Sequence, residues 1–196
     1  MKYVGLEMSR DTEGLPEAVR KYQTPSERTA RFILTILGWL RDIFAPSTTI
    51  IPHGQVFQHH GHYLAAGKVI RYPQILLVED NPAIARKFIE VIKNYYVFGT
   101  VKIFAAYAFD AAATFFANED ISLIIMDADL EDDSGDGADL TRKFIATRPK
   151  VTVLANSSSR ISNLKLTGYG AIETLGKRTD KLTSWLLTND PTGAEG

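Results

Sequence analysis

From Gln74 onward, short apolar runs alternate with longer stretches in which apolar residues recur at helical spacing. The runs Gln74 to Val78, Val101 to Ala106, Leu123 to Met126, Val151 to Leu154 and Ile172 to Leu175 have almost wholly apolar interiors. That is expected of strands covered on both faces. Between and after them, Pro82 to Lys93, Asp110 to Ala117, Ala138 to Thr147, Ile161 to Leu166 and Lys181 to Leu187 predict helices. Asn81 before Pro82 supplies an N-cap and a first-turn residue for the first of these. Five βα units in about 115 residues predict an α/β fold built on an open, doubly wound, five-stranded parallel sheet.

The chain before Pro73 follows another pattern. Thr24-Pro25-Ser26-Glu27 has the form of a capping box, which predicts a helix running to about Phe44. Phe32, Ile33, Leu34, Ile36, Leu37, Trp39, Leu40, Ile43 and Phe44 are spread too widely for one apolar stripe. Such a helix needs cover on more than one side, from the sheet domain, from Leu15 to Tyr22, or from a second copy of the chain, and the expectation is a homodimer through residues 25-44. Thr48 to Pro52, Val56 to Gln58 and Tyr63 to Arg71 predict short strands of a small separate sheet. The expected organisation is a small N-terminal α+β segment over residues 1-72, a sheet domain over 73-188 and a flexible tail over 189-196.

Composition adds constraints. With 196 residues, 45% hydrophobic and 23% charged, the chain can bury a core of ordinary size. A net charge of -1, from 22 basic and 23 acidic side chains, argues against a generally basic nucleic-acid binder. Residues 1-72 carry 9 basic and 6 acidic side chains, a surplus too small and dispersed to claim DNA binding. Cysteine is absent, which excludes thiol catalysis, disulfides and Cys-ligated metals. Met1 to Arg10 lack the apolar run of a secretory signal, and the most apolar stretch, Phe32 to Leu40, is far short of the ~20 residues of a membrane span. The expected location is the cytoplasm.

Open parallel sheets bind ligands outside the carboxyl ends of their strands, near the switch in strand order. There the first strand of the sheet domain runs into Glu79-Asp80, the third into Asp127 and the fifth into Gly176-Lys177. Three crowded carboxylates repel one another, and a divalent cation with oxygen ligands, magnesium above all, relieves that repulsion. A lysine beside them can neutralise a transferred phosphoryl group while the metal shields the attacking carboxylate. These parts describe a site where an aspartate accepts a phosphoryl group, with Asp127 as the nucleophile.

Ile75-Leu-Leu-Val-Glu-Asp-Asn-Pro82, Leu123-Ile-Ile-Met-Asp127 and Gly170-Ala-Ile-Glu-Thr-Leu-Gly-Lys177 resemble, in order, the three signature blocks of two-component receiver domains. The resemblance implies a flavodoxin-like fold for this part of the chain. Glu79 and Asp80 then resemble the metal-binding acids, Asp127 the phosphoacceptor and Lys177 the phosphate-contacting lysine, while Asp129 stands where a backbone carbonyl completes the metal shell. It implies an atypical response regulator that takes a phosphoryl group from a histidine kinase or phosphotransfer protein with Mg2+. Its reactions would be at most self-catalysed phosphotransfer and autodephosphorylation, and its output would be protein association.

The departures are specific. Counting back from Gly170 and Lys177 puts Ala155 where receivers carry a switch hydroxyl, with Ser157 as the alternative if the following loop is shorter. The aromatic switch position falls on Thr174, Arg178 replaces the proline after the lysine, and Glu131 replaces the one past the acceptor. They support an alternative reading, a pseudo-receiver scaffold that binds partners without phosphorylation. A metal-dependent phosphatase shares the aspartate and the metal, but the sequence shows no second acid placed for proton transfer. All four histidines, His53, His59, His60 and His62, lie before Pro73. They invite a metal hypothesis, but adjacent His59 and His60 would project apart on a strand, and solvent exposure or loop protonation explains the cluster as well.

Overall fold

The computed structural model describes residues 51–61, 69–130 and 135–193, all within one compact unit that begins at residue 50. The expected helix and dimer surface over 25-44, the histidine His62 and the acids Glu131 to Asp133 lie outside the described residues.

In chain order the elements are β1 (Gly54–His60), β2 (Gln74–Val78), α1 (Pro82–Tyr95), β3 (Thr100–Ala106), α2 (Phe109–Asn118) and β4 (Leu123–Met126). They continue with α3 (Gly137–Thr147), β5 (Thr152–Ala155), α4 (Arg160–Gly168), β6 (Glu173–Thr174), α5 (Thr179–Asn189) and a 3-10 turn, Pro191–Gly193. The five parallel strands and five helices expected after Pro73 are all present, with boundaries within two residues of those predicted. The sheet order is β1-β3-β2-β4-β5-β6. The chain passes from β2 outward to β3 and then returns to the other side of β2 as β4, so the switch in strand order lies between β2 and β4.

The sheet splits the core in two because successive strand side chains face opposite ways. Leu76, Val78, Phe104, Ile124, Met126 and Val153 pack against α2, α3 and α4. Ile75, Leu77, Ile103, Leu123, Ile125 and Leu154 pack against α1 and α5. Helix α1 shows why these segments are helical. Ala85, Phe88, Ile89, Ile92 and Tyr95 form one buried stripe, and the Asn81 side chain caps the first turn by accepting from the N–H groups of Ala83 (3.0 Å) and Ile84 (3.3 Å).

Two expectations are corrected. Val56 to Gln58 was expected in a separate small sheet. Gly54–His60 instead pairs antiparallel with β3, from Gly54 opposite Ala106 to His60 opposite Thr100, and makes the sheet six-stranded. Its alternation of half-buried and exposed positions suits any edge strand, so the sequence did not reveal its neighbour. No strand forms over Ile51–Pro52 or Val69–Arg71.

The expected flexible tail is in part folded. Residues 189–193 are not frayed: Asn189 ends α5, and Asp190 is buried with 1% of its surface exposed. Its carboxylate accepts from Tyr96 Oη (2.9 Å), Thr192 Oγ1 (2.6 Å) and the N–H groups of Tyr72 (3.2 Å) and Arg71 (3.3 Å). Its carbonyl accepts from Tyr95 Oη at 2.7 Å. This knot ties the segment after α5 to α1 and to the entrance of β2. Gly193 closes it, since a Cβ there would lie 2.7 Å from the Tyr95 and Tyr96 rings.

Candidate functional site

Glu79, Asp80 and Asp127 come together at the carboxyl ends of β2 and β4, beside the switch point. Strand pairing carries one step beyond the strands: the N–H of Asp127 donates to Val78 O (2.9 Å), and that of Glu79 to Ala106 O (3.0 Å). Val78 and Met126 point into the core beneath α2 and α3, so the next residues, Glu79 and Asp127, turn to the face of α1 and α5. Both are buried, at 0% and 3% exposure.

Lys177 reaches the same point from the loop after β6. Its ammonium donates to Glu79 Oε1 and Oε2 at 2.6 and 2.5 Å and to Asp127 Oδ2 at 2.5 Å. Its backbone is in the left-handed region, at φ 60°, directly after Gly176 at φ 66°. Glycine adopts that conformation freely, while a lysine there is strained by about 1–2 kcal/mol.

Among the described ion pairs of Glu79, Asp127 and Lys177 the charges do not balance. One ammonium faces two buried carboxylates, and Asp80, half-buried, brings a third oxygen within 4.8 Å of the others. Burial pushes Glu79 up to about 7, with help from the Asp127 charge and against the pull of the Lys177 hydrogen bond. Asp127 is raised too, by burial first, with Lys177 opposing. Burial acts against the Lys177 ammonium, but its hydrogen bonds to Asp127 and Glu79 prevail and raise its pKa. The three carboxylates form a hard oxygen donor set with surplus negative charge, suited to a divalent cation.

Asp129, expected to help the metal through its carbonyl, turns its side chain elsewhere. It accepts from Ser157 Oγ (3.0 Å) and Ser162 Oγ (3.2 Å), tying β4 to the start of α4. The position of the hydroxyl is also resolved. Ala155 is the last residue of β5, paired with Met126 on one side and Thr174 on the other, and Ser157 lies two residues further, with its hydroxyl on Asp129. Gly137, at the start of α3, packs so tightly that a Cβ would overlap the carbonyl oxygen of Asp127.

Asn156, between Ala155 and Ser157, was not singled out in the sequence. It is fully buried, and its Oδ1 accepts the Lys177 N–H at 3.0 Å. An asparagine after a strand reads as an ordinary turn residue, and no local signal links it to a lysine 21 positions on. The histidines stand apart from this site: His59 Nε2 lies 2.9 Å from Tyr96 O, and His60 Nδ1 lies 3.1 Å from Thr100 Oγ1.

The chain matches no protein-family model and no curated protein. It is similar to solved structures of receiver domains. One is the signal receiver domain of an HD domain-containing protein from Pseudomonas fluorescens Pf-5, at 21% identity over 62% of this chain and 89% of that one, with a TM-score of 0.51. Another is the signal receiver domain of a DNA binding response regulator protein from Colwellia psychrerythraea 34H, at 17% identity over 59% and 96%, TM-score 0.51. A third is a two-component response regulator from Clostridium difficile, at 18% identity over 59% and 93%, TM-score 0.51. The fold is therefore the flavodoxin-like receiver fold, with β1 as an added antiparallel edge strand. No helix among the described residues is long and apolar enough to cross a membrane.

Proposed function

We propose that this protein is an atypical response regulator in which Asp127 accepts a phosphoryl group from a histidine kinase or phosphotransfer protein. The observation that supports this best is the Lys177 ammonium bridging Glu79 and Asp127, with Asp80 beside them, at the carboxyl edge of a receiver fold.

Asp127 Oδ2 is held by Lys177, which leaves Oδ1 as the freer oxygen; its one partner among the described residues is the N–H of Asp129 at 3.4 Å. Oδ1 attacks phosphorus, the P–N bond of a phosphoimidazole donor breaks with its electron pair left on nitrogen, and an acyl phosphate forms. Lys177 then follows the charge from the carboxylate onto the phosphoryl oxygens. Glu79, Asp80 and Asp127 would hold Mg2+, with the Asp129 carbonyl as a further ligand, and the ion would supply charge neutralisation between carboxylate and phosphoryl oxygens. Attack of water on the acyl phosphate returns free Asp127 and inorganic phosphate, so any catalysis is self-directed. The output we propose is altered protein association, including a homodimer through residues 25-44, in a cytoplasmic setting.

A second reading, a pseudo-receiver scaffold that acts without phosphorylation, is favoured by one observation. Ala155 offers no hydroxyl at the end of β5, and that of Ser157 is committed to Asp129.

The test is magnesium-dependent labelling by phosphoramidate or acetyl phosphate, read by intact mass on wild type and Asp127→Asn, with size-exclusion chromatography on the same samples. One added phosphoryl group on wild type and none on the variant supports the receiver reading. An unlabelled wild type with bound magnesium overturns it in favour of the scaffold.

A further inference from the structure

Asn156 has a second polar atom that the fold leaves unused. The row of residues just beyond the strands is Glu79 on β2, Asp127 on β4 and Asn156 on β5. The Asn156 N–H donates to Met126 O at 2.8 Å, which continues the β4–β5 pairing, and Ala155 faces the α2–α4 side of the core with Met126. Alternation therefore turns Asn156 to the same face as Asp127 and Glu79, one strand away. The orientation of its amide is fixed, because the Lys177 N–H can only donate and so requires Oδ1. That leaves Nδ2 with two N–H donors, buried, and without a hydrogen-bond partner.

Buried donors are nearly always paired, and an unpaired one is costly, so a buried amide nitrogen left open beside a candidate reaction centre points to an acceptor that arrives later. No acceptor among the described residues fills that place. A phosphoryl group on Asp127 would bring three acceptor oxygens about 2–3 Å beyond the carboxylate, on the face where Asn156 stands. We propose that Asn156 is a further ligand of the transferred phosphoryl group: its Nδ2 donates to a phosphoryl oxygen on Asp127 while its Oδ1 holds the Lys177 backbone in its left-handed turn. One side chain thus serves both partners of the anion, contacting it directly and fixing the lysine that neutralises it. The inference rests on Asp127 being the phosphoacceptor.

The experiment compares wild type, Asn156→Asp and Asn156→Ala in full-length protein. Asn156→Asp keeps an acceptor for the Lys177 N–H and removes the donor; Asn156→Ala removes both. Phosphoramidate labelling rates and the lifetime of the acyl phosphate are followed by intact mass, and affinity for beryllofluoride with magnesium is followed by isothermal titration calorimetry. Melting temperature and the Lys177 backbone amide resonance report on folding. The expected result is about a tenfold or greater loss of beryllofluoride affinity and of labelling rate in both variants, with the Lys177 resonance kept in Asn156→Asp. Wild-type labelling and affinity in folded variants would overturn the role of Asn156 while leaving Asp127 as the acceptor. A wild type that is never labelled would overturn both together.

Discussion

The two ends of the sheet each bury a carboxylate, and they treat it in opposite ways. At the amino end, Asp190 is surrounded by fixed donors, two hydroxyls and two backbone N–H groups, with no cation among them. At the carboxyl end, Glu79 and Asp127 share one ammonium on a long side chain whose own backbone is strained, and burial raises the pKa of both. Burial of an acid is therefore not the mark of a site. What distinguishes the carboxyl end is incomplete satisfaction: surplus negative charge, a movable counter-ion and an open amide donor. The Asp190 end is a joint, where the carboxylate and the four donors around it are permanently paired.

Breaking each end should produce different losses. The largest expected effect is on Asp127→Asn, which should abolish phosphoryl labelling by intact mass while its melting temperature stays at or above that of wild type, since it removes one of the surplus charges. Asp190→Ala should do the reverse. It strands the Tyr96 hydroxyl and two backbone donors in a buried place, with an expected loss of about 3 kcal/mol in urea unfolding and unchanged magnesium-dependent labelling per folded molecule.

A smaller effect is expected from pH. Glu79 has its folded pKa raised from 4.5 to about 7, so the folded state binds the extra proton. In a buffer without divalent cations, its contribution to stability is present below about pH 4.5 and is lost as pH rises towards 7. Glu79→Gln should flatten that part of the stability profile and make the protein more stable than wild type by on the order of 1 kcal/mol at pH 8. Thermal unfolding of both proteins between pH 4 and 8 checks this, and a variant less stable than wild type at pH 8 would contradict the charge surplus. Smallest is Tyr96→Phe, which removes one donor to Asp190 and should cost about 1–2 kcal/mol without altering labelling.

The contrast also explains what could be read from the sequence. The carboxyl end was legible because its acids and lysine sit immediately after apolar runs, so their place follows from strand ends alone. The parallel strands were legible for the same reason, their interiors being buried on both faces. The Asp190 knot was not, because Asn189-Asp190-Pro191-Thr192-Gly193 has the composition of a frayed end and its partners are about 95 to 120 residues away in the chain. The role of Asn156 and the pairing of the Val56 to Gln58 strand with β3 were missed for a related reason: each depends on which distant segment lies alongside it. Half-buried alternation names a strand without naming its neighbour, and an amide names a hydrogen bond without naming its end.

The left-handed backbone of Lys177 has one more consequence, for how such a protein changes over generations. Glu79→Gln or Asp127→Asn would ease the crowding of charge and so run downhill in free energy, whereas Lys177→Gly would relax the turn but strand two buried carboxylates without their ammonium. Substitutions that damage the Asp190 joint run uphill. A lineage in which this edge is no longer used would therefore lose its acids first, Lys177 only after them, and keep the knot of tyrosines, drifting towards a sturdier fold.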